Sequence, residues 1–138
     1  MRTLPPVRWV PLLGAEKKTT TTDVLVRALR DRDLAVRSQA VELLALVASQ
    51  TKDKGTQREV AAVLGTALRD PDPGLRLQAV ERLGELPAAM GNKYLSTALR
   101  DRNPFVRARV IAVIEARERQ AHAPAAPASQ AAALPAVP

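Results

Sequence analysis

The chain has no cysteine, and its one histidine is His122. No disulfide framework, thiol nucleophile or thiolate metal site can be built from it. One histidine also leaves no His-based metal centre and no Ser–His or Cys–His dyad within one chain. Aromatic residues are almost as scarce: Trp9, Tyr94 and Phe105 are all there are. A core without aromatics is made of Leu, Val, Ile and Ala, which favours closely packed helices over a β-sandwich. No apolar run is long enough to span a bilayer. Pro5, Pro6, Arg8 and Pro11 interrupt the stretch where a signal peptide needs continuous apolar residues, so a cytoplasmic location is expected.

What is present is repetition. Leu25 to Ala40, Leu64 to Ala79 and Leu95 to Val110 align without gaps. Each holds Ala-Leu-Arg-Asp, at Ala28, Ala67 and Ala98, and an arginine follows each aspartate at a fixed distance. The pairs are Asp31 with Arg37, Asp70 with Arg76, and Asp101 with Arg107. The first interval is lengthened by a polar insert around Ser49 to Gly55. Internal repeats of this length are the signature of stacked supersecondary units.

Each unit reads as helix, tight turn, helix. Val24, Leu25, Ala28 and Leu29 form one helix face, and so do Val63, Leu64, Ala67 and Leu68, and Tyr94, Leu95, Ala98 and Leu99. Capping-box spacings at Thr20 with Asp23 and Thr56 with Glu59, and Asn92 as a cap, mark the expected starts. Asp33, Asp72 and Asn103 stand where the second helices begin, and Pro73 and Pro104 follow at the first helical position. Leu43, Leu44 and Val47, with Leu83 and Leu86, and Phe105, Val106 and Val110, are the expected core contributions of those helices. Helices are predicted near 22–30, 34–48, 57–69, 74–86, 92–100 and 104–119.

The ends differ in composition. Residues 1–19 read as an extended, Pro-containing basic arm. Residues 121–138 read as an Ala/Pro-rich flexible tail. Between them lies one repeat domain, 20–120, with units at about 22–48, 56–87 and 92–119.

The motif Ala28-Leu-Arg-Asp31, Val36-Arg37 and Ala40, with its counterparts, resembles the HEAT-like repeat of the short type also found in phycobilisome lyase subunits. The resemblance covers roughly residues 22–119. It implies an all-α fold, a short right-handed α-solenoid of three HEAT-like helix pairs with the second helices on the concave face. It also implies a structural ladder of Asp31, Arg37, Asp70, Arg76, Asp101 and Arg107 within and between units. Proteins of this kind are mainly interaction scaffolds. Some are bilin lyases, and one is a di-iron deoxyhypusine hydroxylase whose His-Glu iron ligands have no counterpart here.

The formal net charge is +7, and nearly half of the excess falls in residues 1–18. Arg30, Arg69 and Arg100 would line one edge of a stacked array, a ridge suited to nucleic acid or an acidic protein. Against nucleic acid stand Glu42 and Glu81 on the expected concave surface and the lack of aromatics for base stacking. Trp9 is either an anchor for a partner or part of a cover over the first helix pair. Ile111 and Ile114 make the last helix apolar on a side where a terminal repeat would be polar, which marks an interface. The expected function is a non-catalytic protein–protein interaction adaptor or accessory subunit, without catalytic residues, metal or cofactor. The alternatives are a nucleic-acid-binding module using the arginine edge and a non-catalytic subunit of a lyase-type enzyme. A homo-oligomer is left open, and no membrane role is expected.

Overall fold

A computed structural model describes residues 20–123. The arm, with Trp9, and residues 124–138 of the tail lie outside them. The described residues form six helices and no strand: α1 Thr21–Ala28, α2 Leu34–Gln50, α3 Lys54–Ala67, α4 Pro73–Glu85, α5 Ala88–Ala98 and α6 Pro104–His122.

Local chemistry sets the boundaries. Thr20 and Asp23 form a reciprocal capping box at α1. Asp33 caps α2 through the Ala35 N–H at 2.9 Å, Asp72 caps α4 through the Leu75 N–H at 2.9 Å, and Asn103 caps α6 through the Phe105 N–H at 2.8 Å. Each satisfies donors that the first helical turn leaves free. Pro73 and Pro104 open α4 and α6.

Two starts differ from the sequence expectation. Helix α3 begins one turn before Thr56, because Asp53 is the cap. Its carboxylate accepts the Thr56 N–H at 2.9 Å and the Thr56 hydroxyl at 2.7 Å, holding the Asp53 carboxyl below its ordinary range. A carboxylate also complements the positive end of the helix, which a threonine hydroxyl cannot do. Helix α5 begins at Ala88, not Asn92. The Pro87 carbonyl closes its first turn by accepting the Met90 and Gly91 N–H groups. The ends differ as well. Helices α1, α3 and α5 stop two residues short of the predicted ends, where tighter bonds bring the chain into the turn. Helix α6 runs to His122, so that histidine belongs to a helix and not to the tail.

The helices form two layers. Helix α4 packs on α2 and α6, and α3 packs on α5; each helix also packs on the next in the chain. The core between the layers is aliphatic, with Val41, Leu44, Val60, Leu64, Leu75, Val80, Leu83, Leu95, Val106 and Val110 fully buried. Three glycines allow closer approach. A Cβ on Gly65 would lie 2.5 Å from the Tyr94 ring, one on Gly84 would lie 2.7 Å from Val113, and one on Gly91 would meet the Leu83 carbonyl oxygen at 2.7 Å.

Several expected core residues are on the surface. Val24, Leu43 and Leu99 are exposed, and Phe105 is 75% exposed. Val24 and Leu43 are at the first unit. Their counterparts Tyr94 and Val113 rest on Gly65 and Gly84 of the preceding unit, and α1 and α2 have no preceding unit among the described residues. Phe105 sits in the first turn of α6, at the position that Ala35 and Gly74 occupy, also exposed, in α2 and α4.

Candidate interaction surfaces

The turns that join each helix pair are built alike. Asp31, Asp70 and Asp101 each accept the N–H two residues ahead, at 2.8, 2.9 and 2.9 Å. Arg37, Arg76 and Arg107 each return to that turn from the following helix. Arg37 donates to the Asp31 carbonyl at 3.0 Å, Arg76 to the Asp70 carbonyl at 2.8 Å and Arg107 to the Asp101 carbonyl at 2.6 Å.

Two of these arginines also reach forward. Arg37 forms a two-pronged pair with Asp70, at 2.9 and 3.3 Å. Arg76 does the same with Asp101, at 2.9 and 3.1 Å. The fork of a guanidinium matches a carboxylate edge to edge, so these pairs fix orientation as well as distance. Arg76 is 4% exposed. Burial pushes the Asp101 carboxyl up, but the Arg76 hydrogen bond, the Asn103 N–H and the charges of Arg76 and Arg102 outweigh it. The net shift is below the ordinary value.

Arg30, Arg69 and Arg100 are exposed, one at the end of each first helix. Arg69 and Arg100 line an open groove of about 670 Å³ between α3 and α5, with Lys93, Tyr94 and Thr97. Arg30 and Arg69 line a smaller one of about 310 Å³ between α1 and α3. The neighbouring Asp70 and Asp101 are engaged by Arg37 and Arg76, so they offset these exposed charges less than adjacency in sequence implies.

The surface of α2, α4 and α6 carries a polar network. Gln78 donates to the Ser38 carbonyl at 3.0 Å and to Glu42 at 2.7 Å, while the Ser38 hydroxyl donates to Gln78 at 2.9 Å. Arg82 bridges Glu42 at 2.7 Å and Glu85 at 2.6 Å. Glu81 and Arg109 face each other at 3.5 Å. The two glutamates expected to repel phosphate are therefore partnered by cations.

Of the two isoleucines singled out in the sequence, only Ile111 is open, at 47% exposure. Ile114 is partly buried and packed against the core, because α6 turns that side toward the rest of the chain. Ile111 aligns with Val41 and Val80, both at 0% exposure. Helices α3 and α4 pack on α2, and α5 and α6 pack on α4; among the described residues nothing follows α6. Phe105, Ala108 and Ala112 are exposed on α6 too.

Arg117 is a residue that sequence reasoning missed. It aligns with Val47 and Leu86, so the pattern suggests a core position. Instead its guanidinium reaches back to the end of α4. It donates to the Leu83 and Leu86 carbonyls at 2.5 Å each, to the Gly84 carbonyl at 3.3 Å, and to the Asn92 side-chain oxygen. A cation at a helix C-terminus satisfies free carbonyls and suits the dipole. Burial lowers its pKa. Asn92, expected as a helix cap, serves here as an acceptor inside α5.

Among the described residues, no three His, Cys, Asp or Glu side chains come together as a metal site. None of these helices is long and apolar enough to cross a membrane. The chain matches no known family model. No curated protein matches its sequence.

Proposed function

We propose that the chain is a short right-handed solenoid of three HEAT-like helix pairs acting as a non-catalytic adaptor or accessory subunit that binds protein. The observation that carries this reading is the open side of α6. Ile111 stands bare at a position that is fully buried in both earlier units, with Phe105, Ala108 and Ala112 on the same helix. An aromatic anchor among small residues gives a partner a place to dock and little to displace. Burying a large aliphatic or aromatic side chain contributes about 1.5–3 kcal/mol, so two such residues matter to an interface. The two layers and the Arg–Asp pairs between units support the solenoid reading.

The test is capture of partners from the native cell by the full chain and by Ile111→Glu. The adaptor reading expects proteins held by the wild type and lost with the variant, whose circular dichroism stays unchanged. Identical captured sets would count against it.

A second reading is a nucleic-acid-binding module using Arg30, Arg69 and Arg100. The pairing of Asp70 and Asp101 away from these charges favours it. Phosphate binding releases counterions, so affinity would fall steeply with salt. Replacing all three arginines would weaken binding to any sequence and flatten the salt slope. Tight binding at physiological salt, lost in that triple variant, would rank this reading above the adaptor.

A further inference from the structure

The ladder of forked pairs leaves one carboxylate and one guanidinium over, at opposite ends of the array. Arg37 meets Asp70 and Arg76 meets Asp101. Arg107 makes the same return bond to its own turn as the other two, but has no forward carboxylate among the described residues. Asp31 accepts the Asp33 N–H, and no arginine from a preceding unit reaches it among the described residues.

The two ends are complementary in more than charge. One turn beyond Arg107 on α6 lies Ile111, exposed where its counterparts Val41 and Val80 are fully buried. The unit that holds Asp31 also exposes Val24 and Leu43, whose third-unit counterparts Tyr94 and Val113 press onto Gly65 and Gly84 of the second unit. The Arg–Asp half of this junction is one that the chain makes twice within itself. Residues 124–138 contain no Asp or Glu, so that segment has no acidic side chain to offer Arg107.

We infer that a second copy of this chain docks head to tail, the Asp31 end of one copy against the Arg107 and Ile111 end of the other, completing the ladder across the contact. The inference rests on reading the α6 side as a protein interface, and it names the partner. The contact joins two different patches, so it is heterologous, and copies add in line until the rotation closes or an end is blocked. The forked pair gives the contact its register, and Val24, Leu43 and Ile111 supply its apolar area.

The experiment is sedimentation velocity on the full chain across a concentration series, with two charge reversals. Wild type should gain mass with concentration. Arg107→Asp and Asp31→Arg should each raise the apparent dissociation constant on the order of tenfold or more. Mixing the two should restore association, because each variant alone brings like charges together and the mixture brings opposite ones. One variant keeps a native Asp31 end and the other a native Arg107 end, and these two meet as they would in the wild type. That rescue also shows that both variants are folded. If either loses its helical circular dichroism, Arg107→Gln and Asp31→Asn replace them, each keeping its local hydrogen-bonding group.

Three outcomes would overturn the inference: a wild type that stays monomeric throughout, a single reversal that associates as well as wild type, or folded variants that fail to pair on mixing. A monomeric wild type whose captured proteins are still lost with Ile111→Glu would sink the self-docking alone and leave the adaptor reading standing.

Discussion

Replacing Arg76 with alanine removes the most buried charged group in the described structure, and its cost can be bounded from its contacts. The guanidinium is 4% exposed. It donates twice to Asp101, to the Asp70 carbonyl at 2.8 Å and to the Pro71 carbonyl at 3.2 Å. Truncation leaves a shielded carboxylate and two carbonyls without that partner. Breaking a buried pair in this way costs about 3–5 kcal/mol. Arg82 is the natural comparison, since it pairs with two carboxylates where Arg76 pairs with one. Its side chain and those of Glu42 and Glu85 are 29%, 44% and 58% exposed, and such pairs contribute about 0.2–1 kcal/mol. The difference is at least about 2 kcal/mol. With a urea dependence of about 1–3 kcal/mol per molar, it separates the two unfolding midpoints by on the order of 1 M. The assay is urea unfolding followed by helical circular dichroism, with Asp101→Asn and the double variant completing a cycle. A coupling of about 1 kcal/mol or more is expected for groups in direct contact. Coincident midpoints for Arg76→Ala and Arg82→Ala, or additive effects of Arg76→Ala and Asp101→Asn, would refute the reasoning.

Acid should weaken the fold through the same pair. The Asp101 carboxyl lies below its ordinary 3.8 when folded, so the unfolded chain takes up that proton first. Its stabilisation is present above pH 3.8 and is lost as pH falls through the folded value. Asp101→Asn should flatten this decline in pH-dependent melts. Gly91→Ala should destabilise by about 1–3 kcal/mol, because the new Cβ meets a backbone carbonyl at 2.7 Å that cannot rotate away. Gly55→Ala, whose Cβ first meets the Asp53 side chain at 3.4 Å, should be neutral or stabilising in thermal melts. Arg117→Met should lower the melting temperature more than Arg119→Met, since Arg119 is exposed at the end of α6; equal shifts would count against the capping role of Arg117.

The helical class and the second-helix caps were legible because they depend on neighbours in the chain. Asp33, Asp72 and Asn103 cap helices only two or three residues away, and Pro73 and Pro104 need no distant partner. The start of α3 was misread because two capping residues lie one turn apart, and the carboxylate of Asp53 outbids the Thr56 hydroxyl. The start of α5 was misread because the Pro87 backbone, not a side chain, opens it. Core membership failed at Phe105, Val24 and Leu99. An apolar stripe shows which residues could be buried; neighbouring units decide which are. Arg117 was invisible for the same reason. Its acceptors lie more than twenty residues away, and its slot in the aligned units holds an aliphatic side chain. The signal available was that break itself, an arginine where the other units carry Val47 and Leu86.

The reach of Arg117 into the end of α4 makes the two ends of the array unequal in how readily they open. Among the described residues, helix α1 has substantial contact with α2 alone, whereas α6 lies on both α4 and α5 and is bonded to the α4 terminus by one side chain. In an array held by neighbour contacts, opening starts where the fewest of them must break. Amide exchange should therefore be fastest in α1 and advance toward α4, while the last helix stays closed despite being terminal. Among the described helices, a protease would then find its first access near Thr21–Ala28 and cut inward from there. The piece that survives would keep α4, α5 and α6 together.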